Sequence, residues 1–372
     1  AVAFLENLPA KGFKTLKKAE AAPASSPFVR RDGAHIETPF YSVTFDGHGR
    51  FASLFDKENG RELVQAGKAA NLLRMFEDKP IYYDNWDIDM FYTEKSWPVD
   101  DLVNMTWTEE GPVRATVELE YRISLTTIKQ KIHFYAQSRR IDFETWVDWK
   151  QHQHLLKVEF PVDIHSDEAT FDIQFGNLTR KVHTNTSWDK ARFEVCAQKW
   201  MDFSEGRYGV SLLNDCKYGH SVRDGVVSLT LIKSGIEPNP VADQEEHLFT
   251  YALYPHAGSW RDAGTVRESY FLNQPLRAAE GGTPGSVFSF ASVEQENVVL
   301  ETVKQAEDGS GTVLRLYESE NARTRTVLHV PEGTCKVYSC NLLEEIEEEL
   351  PVENGAVSFL TKPYEIKTIL LR

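Results

Sequence analysis

Apolar residues in this chain recur with a period of two, and that pattern limits the fold more than any other feature. It runs through Val113–Tyr121, Ile128–Phe134, Ile141–Trp149 and Leu156–Val162, and returns in Val227–Leu231, His247–Leu253 and Val313–Tyr317. Alternation of this kind means strands with one buried face, as in antiparallel sheets. Asp46-Gly47-His48-Gly49 between two such runs predicts a hairpin turn. Amphipathic helices are almost missing from the pattern; the best candidate covers Gly60 to Ala69. The expected class is all-β: stacked antiparallel sheets, with a large β-sandwich followed by a smaller one.

Two breaks divide the chain. Ala19–Pro27 is rich in Ala, Pro and Ser and reads as a linker after a leading strand. Glu280–Gly285 is a Gly, Thr and Pro cluster that interrupts the strands. The expected parts are a leading strand and linker over residues 1–29, a large β-domain over 30–280 and a small β-sandwich over 281–372. Ala1–Leu5 looks like the middle of a strand, so the chain reads as a piece of something longer. The acidic run Glu344–Glu349 reads as a solvated turn.

A net charge of −15 argues against nucleic acid and anionic membrane as partners, since phosphate binding needs clustered Lys and Arg. No apolar run reaches the length of a membrane span, and the N-terminus lacks the features of a signal peptide. Cys196, Cys216, Cys335 and Cys340 form no CxxC pair. They are too sparse for a disulfide scaffold, and a reduced, cytoplasmic setting is expected. The sequons at Asn104, Asn177 and Asn185 are discounted, because such triplets are common by chance and no signal peptide accompanies them.

Phe76–Asp89 is the stretch that reads as a site. It places five carboxylates beside two tyrosines, a tryptophan and a proline in fourteen residues, with neither helical nor strand periodicity. A rigid aromatic face suits the apolar side of a pyranose, and carboxylates accept from its hydroxyls. Tyr83, Asp84, Trp86, Asp87 and Asp89 are the candidate substrate-binding residues. The competing reading makes Trp86 a core residue and the acids turn caps or anchors. Among the histidines, His152 and His154 would share a strand face, but no third metal ligand accompanies them. His220, His247 and His256 fit buried, hydrogen-bonded roles better than ligand roles. Asn214-Asp215 and Lys217–His220 form a polar strand tip that either carries function or fixes a turn.

Four stretches resemble the C-terminal β-rich half of glycoside hydrolase family 38 α-mannosidases of bacterial type. They are Ser53–Glu62, Phe76–Asp89, Thr184–Asp189 continuing through Arg192–Val195 to Leu213–Gly219, and His247–Gly258. One departure is Gln198, where many relatives carry His. The resemblance implies a β-supersandwich of galactose-mutarotase type, then a smaller β-sandwich. It also implies retaining hydrolysis of terminal α-linked mannose from oligosaccharides by two carboxylates, with zinc gripping vicinal hydroxyls. It puts the nucleophile and the zinc ligands in N-terminal catalytic and helical domains. No catalytic residue and no metal ligand is therefore expected in this chain, which would support the catalytic domain and line its cleft. β-surfaces left by missing partner domains invite homo-oligomerisation. Two alternatives stay open. One is an aldose-epimerase-like enzyme using His152, His154, His247 and Glu246. The other is a stand-alone carbohydrate-binding module with exposed Trp86, Trp188 and Trp260.

Overall fold

The computed structural model describes residues 2–17, 26–283 and 285–372. Most of the linker expected at Ala19–Pro27 lies outside the described residues. The chain falls into two compact units. The first holds Ala1–Phe4, Pro23–Asp172 and Leu178–Pro275; the second holds Leu5–Ala22, Ile173–Asn177 and Leu276–Arg372. Both are built from antiparallel strands, and the all-β class expected from the alternation is what the chain adopts.

In the first unit seven strands of a nine-stranded sheet are Trp200–Glu205, Tyr208–Asn214, Glu246–Ala257, Ile141–Asp148, Thr126–Tyr135, Arg114–Ile123 and Leu102–Glu110, in that spatial order, the last at the sheet's edge. A six-stranded sheet runs Val195–Cys196, Gly219–Arg223, Val226–Ser234, His154–Pro161, Leu72–Glu77, Ser96–Pro98. A five-stranded sheet spans Arg30–Asp32 to Arg61–Glu62. One apolar core joins them, with Val117, Ile128, Ile132, Phe134, Phe143, Val158, Phe160, Leu229 and Tyr251 among its buried members. Gln130 is in phase with these apolar residues and is fully buried. Its amide donates to Thr145 Oγ1 at 3.0 Å and to the Tyr251 hydroxyl at 2.7 Å. Its carbonyl accepts from Asn71 at 2.7 Å. A buried amide persists in such a place only when its hydrogen bonds are met.

The hairpin at Asp46–Gly49 forms as expected: Asp46 Oδ1 accepts from the N–H groups of His48 (2.8 Å) and Arg50 (3.0 Å), and Gly49 supplies a left-handed φ of 77°. Three expectations need correction. Gly60–Ala69 is not a helix. Arg61–Glu62 is a strand, and the Glu62 carboxylate accepts from the Leu54 and Val64 N–H groups, fixing an extended path. The helix of nine residues is Thr265–Asn273, whose buried residues are Thr265 and Ser269, so it shows no apolar stripe. Val2–Leu5 forms no strand; the first one is Gly12–Lys14, paired with Val287–Ser289. The acidic run is likewise not a turn. Ile346–Leu350 is an edge strand, exposed except at Leu350, and the Glu344 carboxylate pairs with Lys304 at 2.8 Å.

The second unit packs a five-stranded sheet, Val298–Gln305, Thr312–Glu318, Ile366–Leu371, Val337–Cys340, Ile346–Leu350, with a three-stranded one, Ser292–Val293, Thr324–His329, Ala356–Thr361. Leu314, Leu316, Leu328, Val337, Val357 and Ile369 form its core.

Candidate functional site

The aromatic, acidic stretch leaves the end of strand Leu72–Glu77 and becomes a long excursion that ends in a turn of 3-10 helix, Met90–Glu94. Two kinds of side chain alternate along it. Some are driven inward as anchors. Asp84 is buried, and both its carboxylate oxygens are engaged. Oδ1 accepts from the Ile236 and Glu237 N–H groups at 2.8 Å each, and Oδ2 accepts from Gln153 Nε2 at 3.0 Å. Burial alone would raise its pKa, but these donors hold it below the usual carboxylate range. Asn85 Oδ1 accepts from Asn239 N–H at 2.7 Å. Asp78 is also buried and pairs with Lys233. Gly235 makes the close docking possible, because a Cβ there would meet Asn85 Nδ2 at 2.4 Å and the Asp84 backbone carbon at 2.7 Å.

Other side chains are turned outward. Trp86 is 74% exposed and Tyr82 71%, and Tyr83 and Phe91 are exposed as well. The turn that presents them is closed by hydrogen bonds from Trp86 N–H (2.8 Å) and Asp87 N–H (3.2 Å) to the Tyr83 carbonyl, with Tyr83 at a left-handed φ of 40°. The Tyr83 and Trp86 rings sit 5.2 Å apart at 36°. Asp87 is exposed, and Asp89 Oδ2 accepts from Ile81 N–H at 3.1 Å. A cavity of about 430 Å³ lies at the foot of the loop, walled in part by Asp78, Ile81, Asp89, Phe91 and Lys95. Of the five residues singled out in the sequence, Tyr83, Trp86 and Asp87 thus face solvent, Asp89 borders a cavity, and Asp84 is tied into the fold.

Beneath the loop, Tyr92 packs edge-on against Phe76 at 5.2 Å and reaches a buried ion pair that the sequence reading passed over. Lys157 is 1% exposed; its ammonium donates to Glu194 Oε2 (2.6 Å), the Tyr92 hydroxyl (3.2 Å) and Ser221 Oγ (3.3 Å). Glu194 Oε1 accepts from Thr230 Oγ1 at 2.5 Å. Burial would lower the pKa of Lys157, but Glu194 and then Tyr92 hold it above the usual lysine range. The alternation gave no signal of it: Lys157 is out of phase with Leu156, Val158 and Phe160, and the strand pairing shifts register between Leu156 and Lys157.

The histidines singled out in the sequence are spread over separate contacts. His152 lies outside the strand that starts at His154, so the two do not share a strand face; His154 instead packs edge-on against Trp97 at 5.4 Å. His220 is fully buried and its Nδ1 meets the Tyr218 carbonyl at 3.1 Å. His256 Nε2 meets Asp202 Oδ2 at 2.8 Å, and Asp202 also accepts from Ser211, which bonds Thr265 at the start of the long helix. Asn214 Oδ1 accepts from Lys217 N–H at 2.8 Å, fixing the polar tip as a turn. Trp260 is buried against Trp200 at 4.9 Å, which corrects its expected exposure; Trp188, 77% exposed, meets it. Asp243, Glu245 and His247 bring one ligand atom each to within 4.8 Å of one another. Both carboxylates are exposed, and His247 Nε2 bonds the Asp243 carbonyl at 2.9 Å.

Comparison with known proteins matches residues 36–241 to the glycosyl hydrolases family 38 C-terminal domain and residues 297–369 to the family 38 C-terminal beta sandwich domain. Alpha-mannosidase 2C1 of Homo sapiens is 39% identical over 345 residues, covering 90% of this chain and 33% of that protein. Alpha-mannosidase G of Dictyostelium discoideum is 37% identical, covering 90% of this chain and 32% of that protein. The structure of an alpha-mannosidase from Enterococcus faecalis V583 superposes with a TM-score of 0.76 at 18% identity, over 94% of this chain and 43% of that one. The chain spans about a third of the length of the curated relatives it matches. It belongs to glycosyl hydrolase family 38, and its two parts are that family's C-terminal domains.

Proposed function

We propose that this chain is the supporting, noncatalytic portion of a retaining α-mannosidase that removes terminal α-linked mannose from oligosaccharides. In this reading its part is to present the Tyr83–Asp89 loop to the substrate cleft. The two carboxylates of the reaction, one attacking the anomeric carbon and one protonating the leaving oxygen, belong to a preceding catalytic domain. A zinc ion that grips vicinal mannose hydroxyls is likewise assigned outside this chain. Tyr83 and Trp86 offer their faces to the apolar side of a pyranose, while Asp87 and Asp89 accept from its hydroxyls. Asp84 acts through the loop by holding it in place. A cytoplasmic, reducing location fits the four unpaired cysteines.

The observation that carries the reading is the exposed Tyr83–Trp86 ring pair on a loop pinned by a buried carboxylate. Aromatic surface held this firmly in water calls for something to cover it. The test has two arms. The chain alone, given a chromogenic α-mannoside with and without zinc, should show no turnover; metal-dependent turnover would place a complete site here. In the full-length enzyme, Trp86→Ala should lower kcat/KM on an α-mannoside at least tenfold, and an unchanged value would remove the loop from the cleft.

A further inference from the structure

The chain is acidic overall, with 56 Asp and Glu against 41 Lys and Arg. At one edge of the six-stranded sheet the balance is inverted. A hollow there is walled by Arg180, Lys181, Arg192 and Arg223, with Asp189 its one carboxylate. Two of these cations are already satisfied: Lys181 pairs with Asp167 at 2.7 Å, and Arg192 with Asp189 at 3.4 Å. The other two are not. Arg180 lies over the Phe171 ring at 4.9 Å, and its Nη1 is buried without a hydrogen-bond partner. Arg223 has neither ion pair nor hydrogen bond from its side chain among the described residues. A buried guanidinium N–H left unmet costs free energy that a bound anion recovers. Burial lowers the pKa of Arg180, as expected for a cation taken partly out of water.

The shape narrows the ligand. The hollow's 20 Å³ takes one water-sized group, about that of a single phosphate oxygen. It shares Phe193, Ser221 and Arg223 with an adjoining groove of 310 Å³ that also holds Lys68, Tyr92, the carboxylate of Asp224 and the Arg74–Glu159 ion pair (2.9 Å). An oxyanion seated against Arg180 has room for a substituent along that groove. We propose that hollow and groove form a binding site for a phosphate group, with Arg180 and Arg223 as its principal ligands. The phosphate is either free or carried by a small ester whose organic part lies in the groove. The site's ligands lie outside the Tyr83–Asp89 loop, although the groove shares Tyr92 with the cavity at the loop's foot, and the site does not depend on the mannoside reading.

Calorimetric titration of the chain with inorganic phosphate, glucose 6-phosphate and glucose tests it. Saturable binding of either phosphate, weakened by added salt and absent for glucose, is expected. Arg180→Met and Arg223→Met should each weaken it at least tenfold, while Arg31→Gln, whose native side chain pairs with Glu110, should not. Tighter binding of the ester identifies a phosphomonoester site; equal or tighter binding of inorganic phosphate identifies a free-anion site. If neither phosphate saturates, or if folded Arg223→Met binds as the parent does, the assignment is overturned. Arg223→Met keeps the test decisive even if Arg180→Met fails to fold, because the Arg223 side chain holds no partner whose loss would unfold the chain.

Discussion

Replacing Lys157 by Met tests whether the buried ion pair beneath the loop holds the first unit together. The methionine preserves length and apolar stem but leaves the Glu194 carboxylate, 11% exposed, with only hydroxyl donors from Tyr92 and Thr230. An uncompensated buried charge costs about 3–5 kcal/mol. Glu194→Met should cost a similar amount by stranding the ammonium. The double substitution should cost less than either single one, since replacing both ions with apolar groups is often near neutral. All eight tryptophans lie in the first unit, so their fluorescence in a urea titration reports that unit alone. Equal slopes with shifted midpoints would give the stability differences directly. Lys157 has a raised folded pKa, so its contribution is complete below about pH 10.4 and is lost only as pH climbs through the folded value. The singles and the double should therefore keep the same differences from pH 6 to pH 9. Single-mutant losses under about 1 kcal/mol, or a double mutant equal to their sum, would refute the argument.

Three further outcomes follow from the geometry. Asp84→Ala strands the N–H groups of Ile236 and Glu237 and the Gln153 amide, and should cost about 3 kcal/mol in the same titration, whereas exposed Trp86→Ala should stay within about 0.5 kcal/mol. Gly235→Ala forces a methyl against the Asp84 backbone carbon and the Asp84 and Asn85 side chains and should destabilise by about 1–3 kcal/mol, with loss of the ordered Trp86 signal in near-UV circular dichroism. Two buried groups give opposing pH slopes. Burial raises Asp172 to about 6, so its ionisation costs stability as pH rises from 4 to 6; burial lowers His220 to about 4, so stability grows as pH rises over nearly the same window. Each is worth about 3 kcal/mol and they nearly cancel. Asp172→Asn should expose a rising slope between pH 4 and 6.5, and His220→Gln a falling one between pH 4 and 6; unchanged slopes would count against both.

The strands were legible because a half-buried sheet writes its two faces into alternate residues, as in Ile128–Phe134. Gln130 and Lys157 show where that reading stops. Each occupies an interior position, but its partners, Asn71 and Tyr251 for one and Glu194 and Tyr92 for the other, are distant in sequence. Helix Thr265–Asn273 was illegible for the opposite reason: it buries Thr265 and Ser269 on hydrogen bonds, leaving no apolar period to detect. Gly60–Ala69 looked helical by composition, but Gly60 and Gly67 at positive φ and the Glu62 bonds to backbone impose an extended path.

The loop is the clearest case of composition pointing to the right place without sorting its parts. Five carboxylates beside aromatics marked Phe76–Asp89 as unusual, and nothing local separates Asp84 from Asp87. The separation comes from the Ser234–Asn239 region, about 150 residues on. There Gly235 admits the chain, and the Ile236 and Glu237 N–H groups require an acceptor. Once Asp84 and Asn85 are committed inward, a turn closed on the Tyr83 carbonyl carries Trp86 and Asp87 outward. The inward acids thus restrict the motion of the outward rings, and a rigid aromatic pair loses less entropy on meeting a ligand than a mobile one. It follows that Asp84→Asn, which keeps one acceptor oxygen for the two backbone donors, should weaken function in the full-length enzyme less than Asp84→Ala does. A carboxylate that itself touched the substrate would show no such ordering, because loss of its charge alone would already abolish the contact.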